Sequence, residues 1–175
     1  EDSDGNTEVI RTLPDGAAAI LIETRADDHD TLEQRIAETK AVVGKYDILY
    51  PIEFTEDPAV YGLYWQIRAG IFPAVGGVRE IGTTVIIEDV AFPRDDLAEG
   101  VMALRQSMDD HGYGAGIIYG HVLDGNVHFV ITQDFETEKG KAQYQKFIED
   151  VCDLVATNFH GSLKAEHGTG RNMAP

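Results

Sequence analysis

Apolar residues fall along this chain in two rhythms, short runs and stripes of helical spacing. The run Ala17 to Glu23 follows a Pro14-Asp15-Gly16 turn signal and predicts a buried strand. Asp30 and Glu33 have the spacing of an N-cap and its N3 partner. Leu32, Ile36 and Val43 continue that helix, and Gly44 ends it. A second strand is expected over Ile48 to Phe54, then a helix from Pro58 to about Ile71, stopped by Pro73. The β-branched stretch Thr83 to Ile87 predicts a strand. Pro93 opens a helix with Leu97, Val101, Leu104 and Met108 on one stripe, ended by Gly112 and Gly114. Gly116 to His121 and Val127 to Gln133 read as two strands joined by a turn. A last helix is expected from about Thr137 to Asn158, with Phe147, Val151 and Leu154 buried. The order β-α-β-α-β-α-β-β-α predicts an α+β fold, with helices on one face of a mainly antiparallel sheet.

Composition narrows the picture. At 175 residues the chain has the size of one domain or of two merged subdomains, and 43% hydrophobic residues are enough for a core. No run of about 18 apolar residues occurs. The polar, acidic start from Glu1 to Asn6 lacks a signal-peptide pattern, so the expected location is the cytoplasm, or the periphery of the inner membrane for the full-length protein. The single Cys152 excludes an internal disulfide and a cysteine-rich zinc site, and its helical apolar surroundings predict an inert thiol. With 14 basic and 31 acidic residues the net charge is −17, which repels phosphate backbones and argues against nucleic acid as a partner. The acidity fits a solvated surface; scarce lysine also fits a salt-adapted source.

The chemistry concentrates in Gly120-His121-Val122-Leu123-Asp124-Gly125-Asn126-Val127-His128. Asp-Gly is a strong hairpin signal. With that dipeptide at the turn centre, Leu123 faces Asn126, Val122 faces Val127 and His121 faces His128. Two imidazoles that share a sheet face and stand opposite each other can converge on one ion. The alternative is two polar residues on a solvated face, and the hairpin alone leaves the two readings level. Glu166 offers a third ligand, and Gly168 and Gly170 permit close backbone approach. Two imidazoles and one carboxylate leave positions open for substrate. Taken alone, Glu166 reads as an exposed carboxylate at a helix entry.

The pair of motifs Gly120-His121-x-x-Asp124-Gly125-Asn126-x-His128 and Lys164-Ala165-Glu166-His167-Gly168-Thr169-Gly170-Arg171 resembles the C-terminal domain of the FAD-linked oxidases, the group of D-lactate dehydrogenase, D-2-hydroxyglutarate dehydrogenase and the glycolate oxidase flavin subunit. Leu63-Tyr64-Trp65-Gln66-Ile67-Arg68 and Glu88-Asp89-Val90-Ala91-Phe92-Pro93 match in order, so the resemblance runs from about residue 17 to the last. The ending Asn172-Met173-Ala174-Pro175 most resembles large bacterial members fused to an iron–sulfur domain. The resemblance implies a ferredoxin-like cap over a flavin held by a separate FAD-binding domain. Residues 1–175 are then a fragment, expected neither to bind FAD tightly nor to turn over substrate alone. By position, His121, His128 and Glu166 match metal ligands for zinc, manganese or iron. His167 matches an acid/base histidine. Arg68 matches a carboxylate-binding arginine, with Arg79 a competing candidate, and Asn126 joins it in substrate binding. Where D-2-hydroxyglutarate dehydrogenases place a lysine for a distal carboxylate, this chain has Ile87, which favours a smaller substrate such as lactate or a larger apolar 2-hydroxy acid.

The implied partners are the FAD-binding domain, a 2-hydroxy acid, and an iron–sulfur domain or other electron-transfer partner. Because Glu166 and His167 are adjacent, an extended backbone would point them to opposite sides, one to the metal and one to the substrate hydroxyl. Two rival readings stand beside this one. A non-haem iron oxygenase also uses two histidines and a carboxylate, but on a β-sandwich, which the expected helices oppose. A stand-alone metal-binding or interaction module would use the glycines as turns only.

Overall fold

The computed structural model describes Pro14 and residues 16–167, with backbone alone at residues 72 and 74–76. Two compact units divide the chain between Arg68 and Ala69.

In the first unit, α1 (His29–Val43) starts two residues before the position that the Asp30–Glu33 spacing predicts. Asp28 is the N-cap: Oδ1 accepts the Thr31 N–H and Oδ2 the Thr31 hydroxyl, each at 2.8 Å. One carboxylate satisfies a helix-end donor and a side chain together, and this fixes the start. The strands expected at 17–23 and 48–54 do not form; neither segment joins a ladder. Apolar composition alone makes no strand, because the backbone groups need a hydrogen-bonded neighbour. Ile20, Tyr46 and Leu49 are exposed, and α1 buries no residue. The next helix, α2 (Pro58–Val78), runs past Pro73. Proline removes one N–H from a helix ladder, yet the helix continues through Pro73, Gly76 and Gly77 to Val78. Among the described residues no helix is long and apolar enough to cross a membrane.

The second unit holds the core. It runs β1 (Thr84–Ala91), a 3-10 turn (Arg94–Asp96), α3 (Leu97–Asp110), β2 (Ile117–His121), a 3-10 turn (Val122–Asp124), β3 (Asn126–Gln133) and α4 (Glu138–Cys152). The sheet is antiparallel in the order β1-β3-β2. These are the first five elements of the β-α-β-β-α-β ferredoxin-like pattern, so the fold is α+β with packed helices. Strand side chains alternate between faces. Ile86 and Val90 of β1 and Val127, Phe129 and Ile131 of β3 share one face, where they pack with Leu104 and Met108 of α3 and Phe147, Ile148 and Val151 of α4.

The end of α4 carries a local distortion, and its start is closely packed. After Cys152 the helix widens into a π turn (Asp153–Asn158). A wider turn slips the apolar stripe by one residue, so Val155 is fully buried and Leu154 only partly, although Leu154 still packs on the core. Gly140, at the start of α4, lies against Asp134; an added Cβ would meet the Asp134 carbonyl oxygen at 2.0 Å.

Candidate functional site

The face of the sheet opposite the core carries the candidate site residues. Asp89 of β1 stands directly across from His128 of β3, and His128 across from Tyr119 of β2. Asn126 stands across from His121. This register corrects the expected one, in which His121 faced His128. The loop is Val122 to Gly125: Asp124 stays in the 3-10 turn, and Gly125 alone is left-handed, at φ 66°. The turn therefore closes on the His121–Asn126 pair, and the ladder slips by two residues. A slip of two keeps every side chain on its face, so His121 and His128 remain neighbours, with ring centroids 5.5 Å apart. Gly125 is packed against Phe92, where an added Cβ would meet the carbonyl oxygen at 2.1 Å.

The third group arrives from the far end of the unit. Past the π turn, His160 takes a left-handed φ of 52° and Gly161 presses against the Ala91 carbonyl. Ser162 then makes a two-bond bridge to Ala91, both bonds 2.8 Å, at the edge of β1. This steers Glu166 onto the sheet face. Its Oε1 lies 2.8 Å from His128 Nε2 and 3.3 Å from His121 Nε2. His167 stacks on the His128 ring at 4.8 Å, with 16° between the planes.

The turn at 165–167 is bent rather than extended. Both side chains therefore reach His128, Glu166 at the ring edge and His167 over its face, instead of pointing apart. The cause is Asp89, which reading the sequence for ligands missed. Its Oδ2 accepts the N–H of Glu166 at 2.6 Å and of His167 at 2.9 Å. Asp89 is 2% exposed. The available signal was an acidic residue on a buried strand, at the parity of the ligand face.

Residues 5–175 match the family described as FAD linked oxidases, C-terminal domain. The chain belongs to that family. This FAD-linked oxidase C-terminal domain is similar to "Glycolate oxidase subunit GlcD" of Bacillus subtilis (strain 168), 23% identical over 93% of this chain and 33% of that protein. It is also similar to "D-lactate dehydrogenase" of Anaerostipes hadrus, 28% identical over 87% of this chain and 31% of that protein. Similarity to "Probable D-2-hydroxyglutarate dehydrogenase, mitochondrial" of Oryza sativa subsp. indica is 33% identity over 61% of this chain and 17% of that protein. The chain thus spans a third or less of the length of these relatives.

Within this oxidase domain the structure brings together His121, Asn126, His128, Glu166 and His167. Arg68 lies on α2 in the first unit. Arg79 follows α2 and donates through Nε to the Thr83 carbonyl at 3.3 Å. Gly168, Gly170 and Arg171 lie outside the described residues, as does the 172–175 ending. Burial pushes the His128 imidazole below its ordinary value, against the opposing pull of Glu166. That favours the neutral ring, the form that ligates metals.

The donors suit a divalent ion. Ligands that share one at about 2.0–2.2 Å stand roughly 2.9–3.4 Å apart, close to the spacings of Glu166 Oε1 from the two imidazole nitrogens. Among the described residues, Nδ1 of His128 and Oδ1 of Asn126 are buried without a hydrogen-bond partner. They are polar capacity held ready on the site side of the sheet.

Proposed function

We propose that this chain is the substrate- and metal-binding half of a flavin-dependent dehydrogenase that oxidises a lactate-like D-2-hydroxy acid to the 2-oxo acid. The observation that carries this reading is the convergence of one carboxylate oxygen with two imidazole nitrogens on a single sheet face. The family membership and the names of the relatives support the flavin and the class of substrate. His121, His128 and Glu166 would hold zinc, manganese or iron. When bound, the ion would polarise the substrate's hydroxyl and lower its pKa. His167, a third exposed at its side chain, accepts the hydroxyl proton as general base. Arg68 would grip the substrate carboxylate in a bidentate fork, and Asn126 would offer a polar contact to the substrate. The flavin, on its own domain, supplies the two-electron acceptor. The wording of residues 164–175 supports a further iron–sulfur partner for the electrons.

The test uses the intact flavoprotein. Anaerobic mixing with D-lactate should bleach the flavin absorbance, and elemental analysis should find one divalent ion that His121→Ala and His128→Ala both lose. His167→Asn should keep the ion and lower kcat by about 10²–10⁴-fold. No bleaching with any D-2-hydroxy acid rejects the reaction. Equal metal content in wild type and both histidine variants rejects the ligand set.

A further inference from the structure

We propose that Asp89 is a positioning residue, whose buried carboxylate clamps the Glu166–His167 turn to β1 and so sets the directions of the ligand and the base. What the turn carries rests on the proposed function; how it is held rests on geometry of its own.

A single oxygen, Oδ2, accepts two consecutive backbone N–H groups, at 2.6 and 2.9 Å. In an extended chain successive N–H groups point to opposite sides, so one acceptor cannot serve both. The clamp and the bent shape of the turn therefore require each other. The segment has other supports: the Ala91–Ser162 bridge, the Ser162 hydroxyl, which bonds Lys164 N–H and carbonyl, Leu163 packed against the core, and the side-chain contacts of Glu166 and His167 with His128. None of these engages the backbone N–H groups of residues 166 and 167. Asp89, by contrast, sits mid-strand with its neighbours laddered to β3. It ties the backbone of the turn directly to the sheet.

The electrostatics agree. A carboxylate this buried needs charge-assisted hydrogen bonds, and the two N–H groups provide them. Replacing it by an apolar residue orphans both donors beside the site. Asp89 also stands close enough to two of the proposed ligands to be mistaken for one, since Asp89, His128, Glu166 and His167, a group that leaves out His121, each place a donor atom within 4.8 Å of the others. Its Oδ2 is already committed to the turn, however, and Oδ1 lies 3.8 Å from His167 Nδ1, beyond hydrogen-bond reach. Outer-shell groups that orient ligands in this way typically change metal affinity 10- to 100-fold when lost.

The experiment compares Asp89→Ala and Asp89→Asn in the intact flavoprotein, by amide hydrogen exchange at residues 166 and 167 and by zinc affinity in chelator competition. Asp89→Ala should expose both amides to faster exchange and weaken zinc by about 10–100-fold. Asp89→Asn, whose carbonyl oxygen can replace Oδ2, should keep both amides protected and restore most of the affinity. If Asp89→Ala does not fold, Asp89→Asn decides alone: protection with near wild-type affinity supports the clamp, and loss of either overturns it. Zinc lost in Asp89→Asn with both amides still protected would make Asp89 a ligand. Unchanged exchange in folded Asp89→Ala would remove the clamp altogether. Should the wild type take up no zinc, the metal reading fails, while the exchange comparison still judges the clamp.

Discussion

The two faces of the three-stranded sheet are made by the same strands and differ in almost every other respect. One is closed by α3 and α4 and filled with fully buried apolar side chains; the other gathers an aspartate, three imidazoles and a glutamate. The first is held by area removed from water, and the second by a few directional contacts. Stability and chemistry are thus separated by one step along a strand, and substitutions on the two faces should fail differently.

The largest expected effect is on the closed face. Phe147 is fully buried and lies 4.8 Å from Tyr113 and 5.8 Å from Phe129, ring to ring. Phe147→Ala should cost about 3–5 kcal/mol of stability, read as a lower urea midpoint. Metal stoichiometry of the folded fraction should not change. The open face should show the reverse. His121 is 41% exposed at its side chain, so His121→Ala should alter metal-free stability by no more than about 0.5 kcal/mol. It should also abolish the gain on adding metal, about 2.7 kcal/mol at a hundredfold excess over Kd. Equal thermal shifts with metal in wild type and variant would erase the contrast between the faces.

Gly120 tests the strand they share. An added Cβ would lie 2.1 Å from the Asn126 carbonyl oxygen, so Gly120→Ala should force β2 and β3 apart. We expect a loss of about 1–3 kcal/mol together with weaker metal binding, because His121 moves with β2. The smallest effect is at Asp134, just past the end of β3. The Thr137 hydroxyl, with help from the Glu136 N–H, holds its carboxyl below the ordinary 3.8. A depressed carboxyl stabilises the fold above its unfolded value and loses that contribution as pH falls through the folded one. Its carboxyl is reached by solvent although the residue is half-buried, so the difference in urea midpoint between wild type and Asp134→Ala should be slight near neutrality and vanish in acid.

Much of the second unit was legible because its signals are local. The stripe Leu97, Val101, Leu104 and Met108 gave α3, and the β-branched and alternating runs gave the strands. The turn-forming Asp124-Gly125 located the hairpin, but its register slipped because the dipeptide closes a four-residue loop instead of centring a two-residue one. The strands expected at 17–23 and 48–54 failed for another reason: apolar composition says that a segment can pair, and only the fold supplies a partner. Asp89 was out of reach in the same way. It lay in plain view beside Val90, yet its hydrogen bonds join residues 77 and 78 positions away. The families of residues at the site were readable, and their mutual geometry was not.

That separation along the chain has a kinetic meaning. Closing a loop costs entropy that rises with its length, and the contacts that reward closure come only afterwards. The clamp between residues 89 and 166 spans both helices and the hairpin, so its closure should follow theirs. An unfinished domain would present its two hairpin histidines without Glu166, and so without the three-ligand grip on a metal that the proposed function requires. The site should then be the last piece of the unit to come together, and on the proposed function metal capture would be a readout of completed folding.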